Sequence, residues 1–250
     1  MKTLRRTAIN SVRRWANFRG IEVVPLWKIP ELPLANHLRE IFKEYHIDTV
    51  LDVGANKGQY RDMLRNDVGF EGKILSFEPV SKYAKMIKSR SQSDKSWKVY
   101  EFALGSTPGS AKINVMESPG LNSFLSPRTD EVPGFWKENP IVQEETVQIR
   151  TLDDVLAQEG IDCSKQGVYL KLDTQGFDLE VVKGGPVTLK HIKAMQTEAS
   201  VRPIYSGMPT YLEAINNITE CGFNLSSMFP VTYDGKLRVI ELDCVFVRGD

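Results

Sequence analysis

The chain has 250 residues, a length that suits one large α/β domain. Lys and Arg together number 32, as do Asp and Glu, so the basic excess typical of nucleic-acid-binding proteins is missing and no nucleic-acid partner is expected. Three cysteines without a C-x-x-C pair indicate a reducing compartment and no zinc site. No apolar run approaches the roughly 18 residues of a spanning helix, and no secretory signal is recognisable, so we predict a cytoplasmic protein.

The first 20 residues are predicted to form a basic amphipathic helix without acidic residues. Its cations are Lys2, Arg5, Arg6, Arg13, Arg14 and Arg19. The helix either packs on the domain or a second subunit, or rests on the anionic inner face of a membrane. A proline-rich loop follows it, so we predict an extension over residues 1–34 and a main domain over residues 35–250.

A predicted helix over residues 35–46 leads into an apolar, β-branched strand at Thr49–Val53, of the kind buried on both faces of a parallel sheet. The strand ends in the turn Gly54–Gly58, whose glycines permit a sharp bend and a close backbone approach to a ligand. A helix follows from Gln59, and its first N–H groups favour a ligand at that end.

The glycine spacing distinguishes between cofactors. A dinucleotide site requires G-x-G-x-x-G, but Asn56 occupies the position of the middle glycine. A phosphate-binding loop is disfavoured because no Lys-Ser/Thr pair follows the last glycine. The pattern is instead D-x-G-x-N-x-G from Asp52, followed by a second strand, KILSFEP, that ends in Glu78. One carboxylate can accept hydrogen bonds from both hydroxyls of a ribose, so Glu78 is the candidate ribose ligand.

A helix over residues 81–91 and a third strand from Lys98 to Ala103 come next, and then an insertion over about residues 106–150. Two strands in it, KINVME and ETVQIR, flank a stretch rich in Pro, Gly and charge. Long insertions of this kind are usually functional, so we predict a lid or a substrate-binding element. The alternative is a hairpin whose aromatic residues only cover the core. Its candidate contacts are Asn122, Ser123, Phe135 and Trp136.

The second half of the chain adds further strand-end acids. After a helix with Thr151 as a candidate N-cap, the fourth strand, GVYLKLD, ends in Asp173. The fifth strand, IKAMQTEAS, brings Glu198 to its end, and a Pro/Gly loop with Arg202 and Tyr205 follows. A helix near the C-terminus and a hairpin around the turn YDG complete the chain.

These motifs together resemble a known family. DVGANKGQ and SFEP are similar to the first two motifs of class I S-adenosylmethionine-dependent methyltransferases, and LKLDTQGFDLEVVKGG and QTEAS resemble the FkbM family of O-methyltransferases. The resemblance covers about residues 48–248. It implies an α/β, Rossmann-like doubly wound sheet of seven strands, mostly parallel with a C-terminal antiparallel hairpin, plus the N-terminal helical extension.

The resemblance also implies roles for single residues. Glu78 would bind the ribose, Ala103 and Leu104 would flank the adenine, and the glycine turn would face the methionine part of S-adenosylmethionine. The implied cofactor-binding residues are Asp52, Gly54, Asn56, Gly58, Gln59, Glu78, Ala103 and Leu104.

The predicted catalytic residues are Asp173 and Glu198, one of which would act as the general base on a hydroxyl. Asp173 could instead contact the amino group of the cofactor. Gln175 stands where many family members have an acid, which disfavours a two-carboxylate mechanism at that turn. A divalent cation such as magnesium, held by these acids, is the alternative to a carboxylate base.

Enzymes of the FkbM type methylate hydroxyls on sugars and polyketides, so we expect a sugar hydroxyl of a glycolipid, glycan or other glycosylated natural product as the acceptor. A non-catalytic Rossmann-like cofactor-binding module that docks to a membrane or a partner is one alternative. A nucleotide-dependent oxidoreductase is another, which Asn56 disfavours. The oligomeric state is left open. The predicted acceptor contacts are Asn122, Ser123, Trp136, Arg202 and Tyr205.

Overall fold

The computed structural model describes residues 24–128 and 135–249, without the side chains of Trp27, Phe135 and Lys137. The predicted basic helix over residues 1–20 and the predicted stacking contact of Phe135 therefore lie outside the described part of the chain. Within that part, no helix combines the length and the apolar character that crossing a membrane requires.

The described residues contain ten strands, whose bounds confirm most of the predicted elements. They are β1 (Thr49–Val53), β2 (Lys73–Phe77), β3 (Trp97–Tyr100), β4 (Ala103–Leu104), β5 (Gly109–Met116), β6 (Ile141–Arg150), β7 (Val168–Leu172), β8 (Ala194–Ser200), β9 (Phe223–Tyr233) and β10 (Val239–Arg248).

Seven α-helices accompany these strands in the same residues. They are α1 (Leu32–Glu44), α2 (Gln59–Met63), α3 (Ser81–Ser91), α4 (Phe135–Glu138), α5 (Leu152–Glu159), α6 (Asp178–Lys183) and α7 (Tyr211–Glu220). A π-helical turn (Leu64–Val68) continues α2, and a 3₁₀ turn (Leu26–Glu31) precedes α1. Thr151 accepts a hydrogen bond from the Asp154 N–H at 3.2 Å, which confirms it as the N-cap of α5.

The main sheet has seven strands in the order β3-β2-β1-β7-β8-β10-β9. All neighbours from β3 to β8 are parallel, whereas β10 runs antiparallel to both β8 and β9. This arrangement confirms the predicted Rossmann-like sheet with its antiparallel C-terminal hairpin. The chain leaves β1 for β2 on one side and later returns to β7 on the other, so the strand order reverses between β1 and β7. Ligands of such sheets bind at the carboxyl ends of the strands beside that point.

The insertion forms a second sheet of three strands, in the order β4-β6-β5. This corrects the predicted third strand, which was drawn through to Ala103. β3 ends at Tyr100, and Ala103 and Leu104 pair instead with Ile149 and Arg150 of β6. The chain departs from the main sheet after Tyr100 because its next backbone partners lie in the insertion, a pairing that spans more than forty residues and leaves no local mark in the sequence.

Alternate residues of β1 face two opposite layers of the domain. Val50 packs in one apolar cluster with Leu38 and Phe42 of α1. Leu51 packs in the other cluster, which includes Val155 of α5. The sheet is therefore covered on both faces, as its continuous apolar strands predict.

The turn after β1 lies unusually close to the end of β7. Gly54 has a φ of +81°, and a Cβ at this position would lie 1.9 Å from the Asp173 carbonyl oxygen. The Asp173 N–H donates to the Val53 carbonyl oxygen at 3.1 Å, which fixes this approach. Gly54 is therefore required for the two central strands to pair up to their ends, before any ligand is considered.

We expect Gly54→Ala to lower the free energy of unfolding by about 2 to 3 kcal/mol, because it adds left-handed strain and overpacking at the β1–β7 junction. Gly109→Ala is the matched control, since a Cβ there meets no atom within 4 Å. Urea unfolding of both variants measures the difference. Equal midpoints for the two variants would contradict the assigned role of Gly54.

Candidate functional site

Two adjoining cavities lie at the carboxyl ends of the central strands. The smaller has a volume of about 60 Å³ and the larger, more open one about 690 Å³. The residues that line both are Gly54, Asn56, Gly120, Asp173 and Gln175. A molecule that extends from one cavity into the other would therefore pass over the glycine turn and the end of β7.

The smaller cavity is a largely apolar slot. Its walls come from the main sheet and from the insertion, and they include Phe77, Leu104, Ile113 and Phe124. Ala103 also lines it, so the two residues that were assigned to a longer β3 reach the cavity from the second sheet. A slot of this kind suits a flat aromatic base.

Glu78 lies at the polar edge of the smaller cavity and is 4% exposed. Its Oε2 accepts from the Asn56 N–H at 2.7 Å, and its Oε1 accepts from the Val80 N–H at 2.9 Å. Burial raises the pKa of Glu78 to about 7, although the two amides oppose the shift. Each carboxylate oxygen keeps a second lone pair, so Glu78 can still accept from a pair of ligand hydroxyls.

Asn56 lies between the two cavities and provides an independent sign of a ligand. Its backbone is left-handed, with a φ of +48°, and its side-chain oxygen is buried without a hydrogen-bond partner among the described residues. A buried acceptor without a donor is costly, so this atom favours a ligand that carries a donor group. The apolar slot, the free capacity of Glu78 and this unpaired oxygen together fit an adenosyl group.

Three other predicted cofactor residues lie beneath or beside the cavities. Asp52 is fully buried and lines neither cavity, because its carboxylate accepts from the Ser76 hydroxyl at 2.9 Å and faces Lys171. Gly58, with a φ of +82°, begins α2 and packs against Trp97. Gln59 lines the larger cavity only. Asp52 and Gly58 thus shape the turn, and the structure corrects their assignment as direct contacts.

Lys171 is a central residue of the site that the sequence analysis left without a role. Its ammonium nitrogen is 3.2 Å from both Asp52 Oδ1 and Asp173 Oδ2, and it donates to the Gly54 carbonyl oxygen at 3.2 Å. Burial lowers the pKa of Lys171, but the two carboxylates outweigh burial and hold the pKa above its ordinary value. Lys171 therefore stays charged and fixes Asp173 beside the glycine turn.

The larger cavity has acidic side chains on its floor. Asp173, Glu198 and Asp243 line it, together with the polar groups of Tyr60 and Gln196. Burial, followed by the charge of Asp173, raises the pKa of Glu198 well above its ordinary value. Burial also raises the pKa of Asp243 to about 6. The sequence analysis missed Asp243, which lies opposite Glu198 only through the register of β10 on β8.

The predicted acceptor contacts of the insertion are already engaged within the protein. Asn122 lines the smaller cavity, and its Oδ1 accepts from the Met116 N–H at 2.8 Å. Ser123 is 1% exposed and donates to the Gln175 carbonyl oxygen at 2.7 Å. Ser123 lines neither cavity, so it anchors the insertion and does not meet a ligand.

Trp136, Arg202 and Tyr205 also lie away from both cavities. Trp136 is buried edge-on against Tyr205 at 5.2 Å, and its indole N–H donates to the Arg128 carbonyl oxygen. The Tyr205 hydroxyl is buried as well, and Arg202 forms an ion pair with Asp234 at 3.0 Å. In this structure these side chains pack in the core or anchor a loop, and their predicted stacking and hydroxyl-binding roles stay predictions.

The predicted divalent-cation alternative gains no support from the side-chain arrangement. Among the residues that the structure describes, no group of three or more His, Cys, Asp or Glu side chains is placed to hold a metal ion.

The sheet order and the paired cavities at the strand ends define a Rossmann-like methyltransferase fold. The sequence profile of the Methyltransferase FkbM domain matches residues 52–225. The chain therefore belongs to the FkbM methyltransferase family, which confirms the resemblance and implies S-adenosylmethionine as the cofactor. No curated protein matches the chain.

Two solved structures are among those similar to this chain. Methyltransferase FkbM from Methylobacillus flagellatus KT is 16% identical with a TM-score of 0.49, and the alignment covers 80% of this chain and 43% of that one. A protein from Klebsiella pneumoniae that is described as an O-methyltransferase is 9% identical with a TM-score of 0.48, over 96% and 97% of the two chains. This chain thus spans less than half the length of the first structure.

We expect the affinity for S-adenosylhomocysteine to rise by about tenfold between pH 6 and pH 8, because the ionised form of Glu78 accepts from both ribose hydroxyls. The pKa of this group is about 7, so the ionised form gains population across that range. Glu78→Gln should bind more weakly and without this pH dependence. Titration calorimetry measures both, with Glu71→Gln, an exposed residue outside both cavities, as the control. A pH-dependent affinity that persists in Glu78→Gln would exclude this role.

Proposed function

We propose that the chain is an S-adenosylmethionine-dependent O-methyltransferase that acts on a hydroxyl of a glycoside. The observation that supports this most directly is the junction of the two cavities. Asp173 and Gln175 line both, and Glu198 borders the larger one within hydrogen-bond reach of Gln175. The carboxylates of Asp173 and Glu198 thus lie where the apolar slot opens into the larger cavity.

When bound, S-adenosylmethionine supplies an electrophilic methyl group on its sulfonium. Glu78 and Asn56 would hold the ribose, and Leu104 and Phe124 would enclose the adenine. Holding the hydroxyl and the donor in line contributes roughly 7 to 11 kcal/mol in well-oriented reactions. The protein must also accept the proton of the hydroxyl, since a sugar hydroxyl is a poor nucleophile while protonated.

Glu198 is the stronger candidate for the general base. The carboxylate of Asp173 is already engaged in an ion pair with Lys171. Burial raises the pKa of Glu198 well above its ordinary value, which makes its carboxylate a stronger base than an ordinary one. None of the three histidines lines either cavity, so an imidazole base has no support.

The lining of the larger cavity supports a hydroxyl-rich acceptor. Alongside its acids, the lining includes the amide side chains of Gln59, Asn66 and Gln196 and the side chain of Tyr60. Amides and carboxylates offer both donors and acceptors, which a sugar can satisfy with several hydroxyls. The volume of about 690 Å³ lies in the usual range of ligand pockets and leaves room for a glycoside.

We expect Glu198→Gln to lower kcat by about two to four powers of ten, the usual contribution of a general base, with unchanged S-adenosylhomocysteine affinity. Glu220→Gln, on the surface at the end of α7, is the control. The assay follows labelled methyl groups from S-adenosylmethionine onto a panel of glycosides and lipid-linked sugars. Full activity in Glu198→Gln would overturn its role, and methylation of amines alone would overturn the O-methyltransferase proposal.

The mouth of the larger cavity also supports a lipid-linked acceptor presented at a membrane. Val231 lines the cavity and is 46% exposed, and Leu237, at the tip of the same β9–β10 hairpin, is 83% exposed. Across the cavity, Leu26 is 83% exposed in the 3₁₀ turn that contributes Lys28 to the lining. The basic residues 1–20 directly precede this turn in sequence. Exposed apolar side chains next to a basic segment favour an anionic lipid surface, which corresponds to the inner face of the cytoplasmic membrane.

We expect the full chain to sediment with phosphatidylglycerol vesicles and to be released by 0.5 M salt. Leu26→Asp and Leu237→Asp should each weaken binding, because they place a charge among the apolar side chains. Val187→Asp is the matched control, since Val187 is 63% exposed beside the amino end of β8, opposite the cavities. Equal binding by all three variants, or dimerisation without vesicles that Leu237→Asp abolishes, would refute the membrane surface.

A further inference from the structure

Gln175 has an unusual backbone for a residue with a side chain. Its φ is +52°, in the left-handed region that favours glycine, and the residue is 7% exposed. Gly176 follows it with a φ of +91°, so two successive residues have positive φ values. A strained position of this kind persists only where the surrounding contacts hold it, and such positions concentrate at functional sites.

The side-chain amide of Gln175 lies between the two catalytic candidates. Its Nε2 donates to Glu198 Oε2 at 2.5 Å and to Asp173 Oδ1 at 3.3 Å. The amide has two N–H groups, so it can serve both carboxylates at once. It thereby bridges the ends of β7 and β8 without adding a charge.

The other atoms of Gln175 are held by two separate segments. The hydroxyl of Tyr205 lies 3.2 Å from Gln175 Oε1 and 2.7 Å from the Leu121 carbonyl oxygen. Ser123 donates to the backbone oxygen of Gln175 at 2.7 Å. Carboxylate oxygens accept hydrogen bonds, which supports the assignment of Nε2 toward the acids, and Ser123 of the insertion helps to hold the strained backbone.

We propose that Gln175 is a positioning residue that spaces Glu198 from Asp173 and holds the Glu198 carboxylate toward the larger cavity. The inference rests on the proposed role of Glu198 as the general base. An acid at position 175 would add a third carboxylate beside Glu198 and Asp173. The amide instead donates to both.

The negative charges around Glu198 explain why a hydrogen-bond donor next to its carboxylate affects its pKa. Burial is the largest cause of the raised pKa of Glu198. The negative charges nearby raise it further, and they belong to Asp173, Glu241, Asp243 and Asp178. Lys171 also lines this cavity, but its ammonium group pairs with Asp52 and Asp173. A hydrogen bond from Gln175 favours the ionised form of Glu198 and opposes these effects.

Two substitutions distinguish the effect of losing the hydrogen-bond donor at position 175 from the effect of adding a negative charge there. Gln175→Met keeps a similar size but removes the donor, and Gln175→Glu adds a carboxylate. Both should move the acidic limb of the pH profile of kcat to higher pH, by at least one pH unit for Gln175→Glu. Well down the acidic limb, a shift of one pH unit corresponds to about a tenfold loss in kcat, with recovery toward the unsubstituted rate on the plateau at higher pH.

A purely structural role would lower kcat by the same factor at every pH, and that result would overturn the proposal. Gln148→Met, an exposed glutamine on β6 outside both cavities, is the matched control and should leave the profile unchanged.

A second measurement does not depend on an acceptor. Carbon-13 NMR of glutamate-labelled protein follows the titration of Glu198, with Glu198→Gln to assign the signal. A higher pKa in Gln175→Met supports the bridge even if no acceptor is methylated, in which case only the proposed function fails. An unchanged pKa in an active enzyme overturns the bridge and leaves the proposed function in place.

Discussion

The candidate site depends on one buried ammonium group. Lys171 lies between the acids at the ends of β1 and β7 and also contacts the turn between β1 and α2. Removing one partner from a buried ion pair commonly costs about 3 to 5 kcal/mol, because the remaining charge stays buried. Asp52, which the sequence analysis assigned to the cofactor, therefore acts one step away by holding Lys171. Together with the backbone hydrogen bond from Asp173 to Val53, this side chain holds the glycine turn and Asp173 in their relative positions.

The sequence predicted the strand-end residues well because two general rules apply to them. Apolar β-branched runs mark buried strands, and parallel strands place their carboxyl ends on one side of the sheet. Asp173, Glu78 and Asn56 follow such runs directly, so their meeting at the cavities required no knowledge of loops. Lys171 was missed because a charged residue inside an apolar strand has no visible partner until β1 and β7 are paired.

The insertion could not be predicted at the same level, because its contacts join residues far apart in the chain. Ser123 meets Gln175, 52 positions later, and Tyr205 meets the Leu121 carbonyl 84 positions earlier. An aromatic or hydroxyl side chain has the same sequence pattern whether it covers the core or faces a ligand. Trp136 and Tyr205 do the former. The register of the C-terminal hairpin, which brings Asp243 opposite Glu198, is likewise set by pairing and not by composition.

The walls of the smaller cavity have mixed origins. Phe77 belongs to the main sheet, but Leu104 and Ile113 come from the second sheet, and Phe124 comes from the insertion that joins its strands. Part of the wall of the smaller cavity is thus built by the segment that also borders the larger cavity through Gly120. If the smaller cavity holds the cofactor and the larger one the acceptor, as proposed, a substitution in this segment changes both sets of contacts at once. Selection for a new acceptor through the insertion would then also change how long the spent cofactor stays bound.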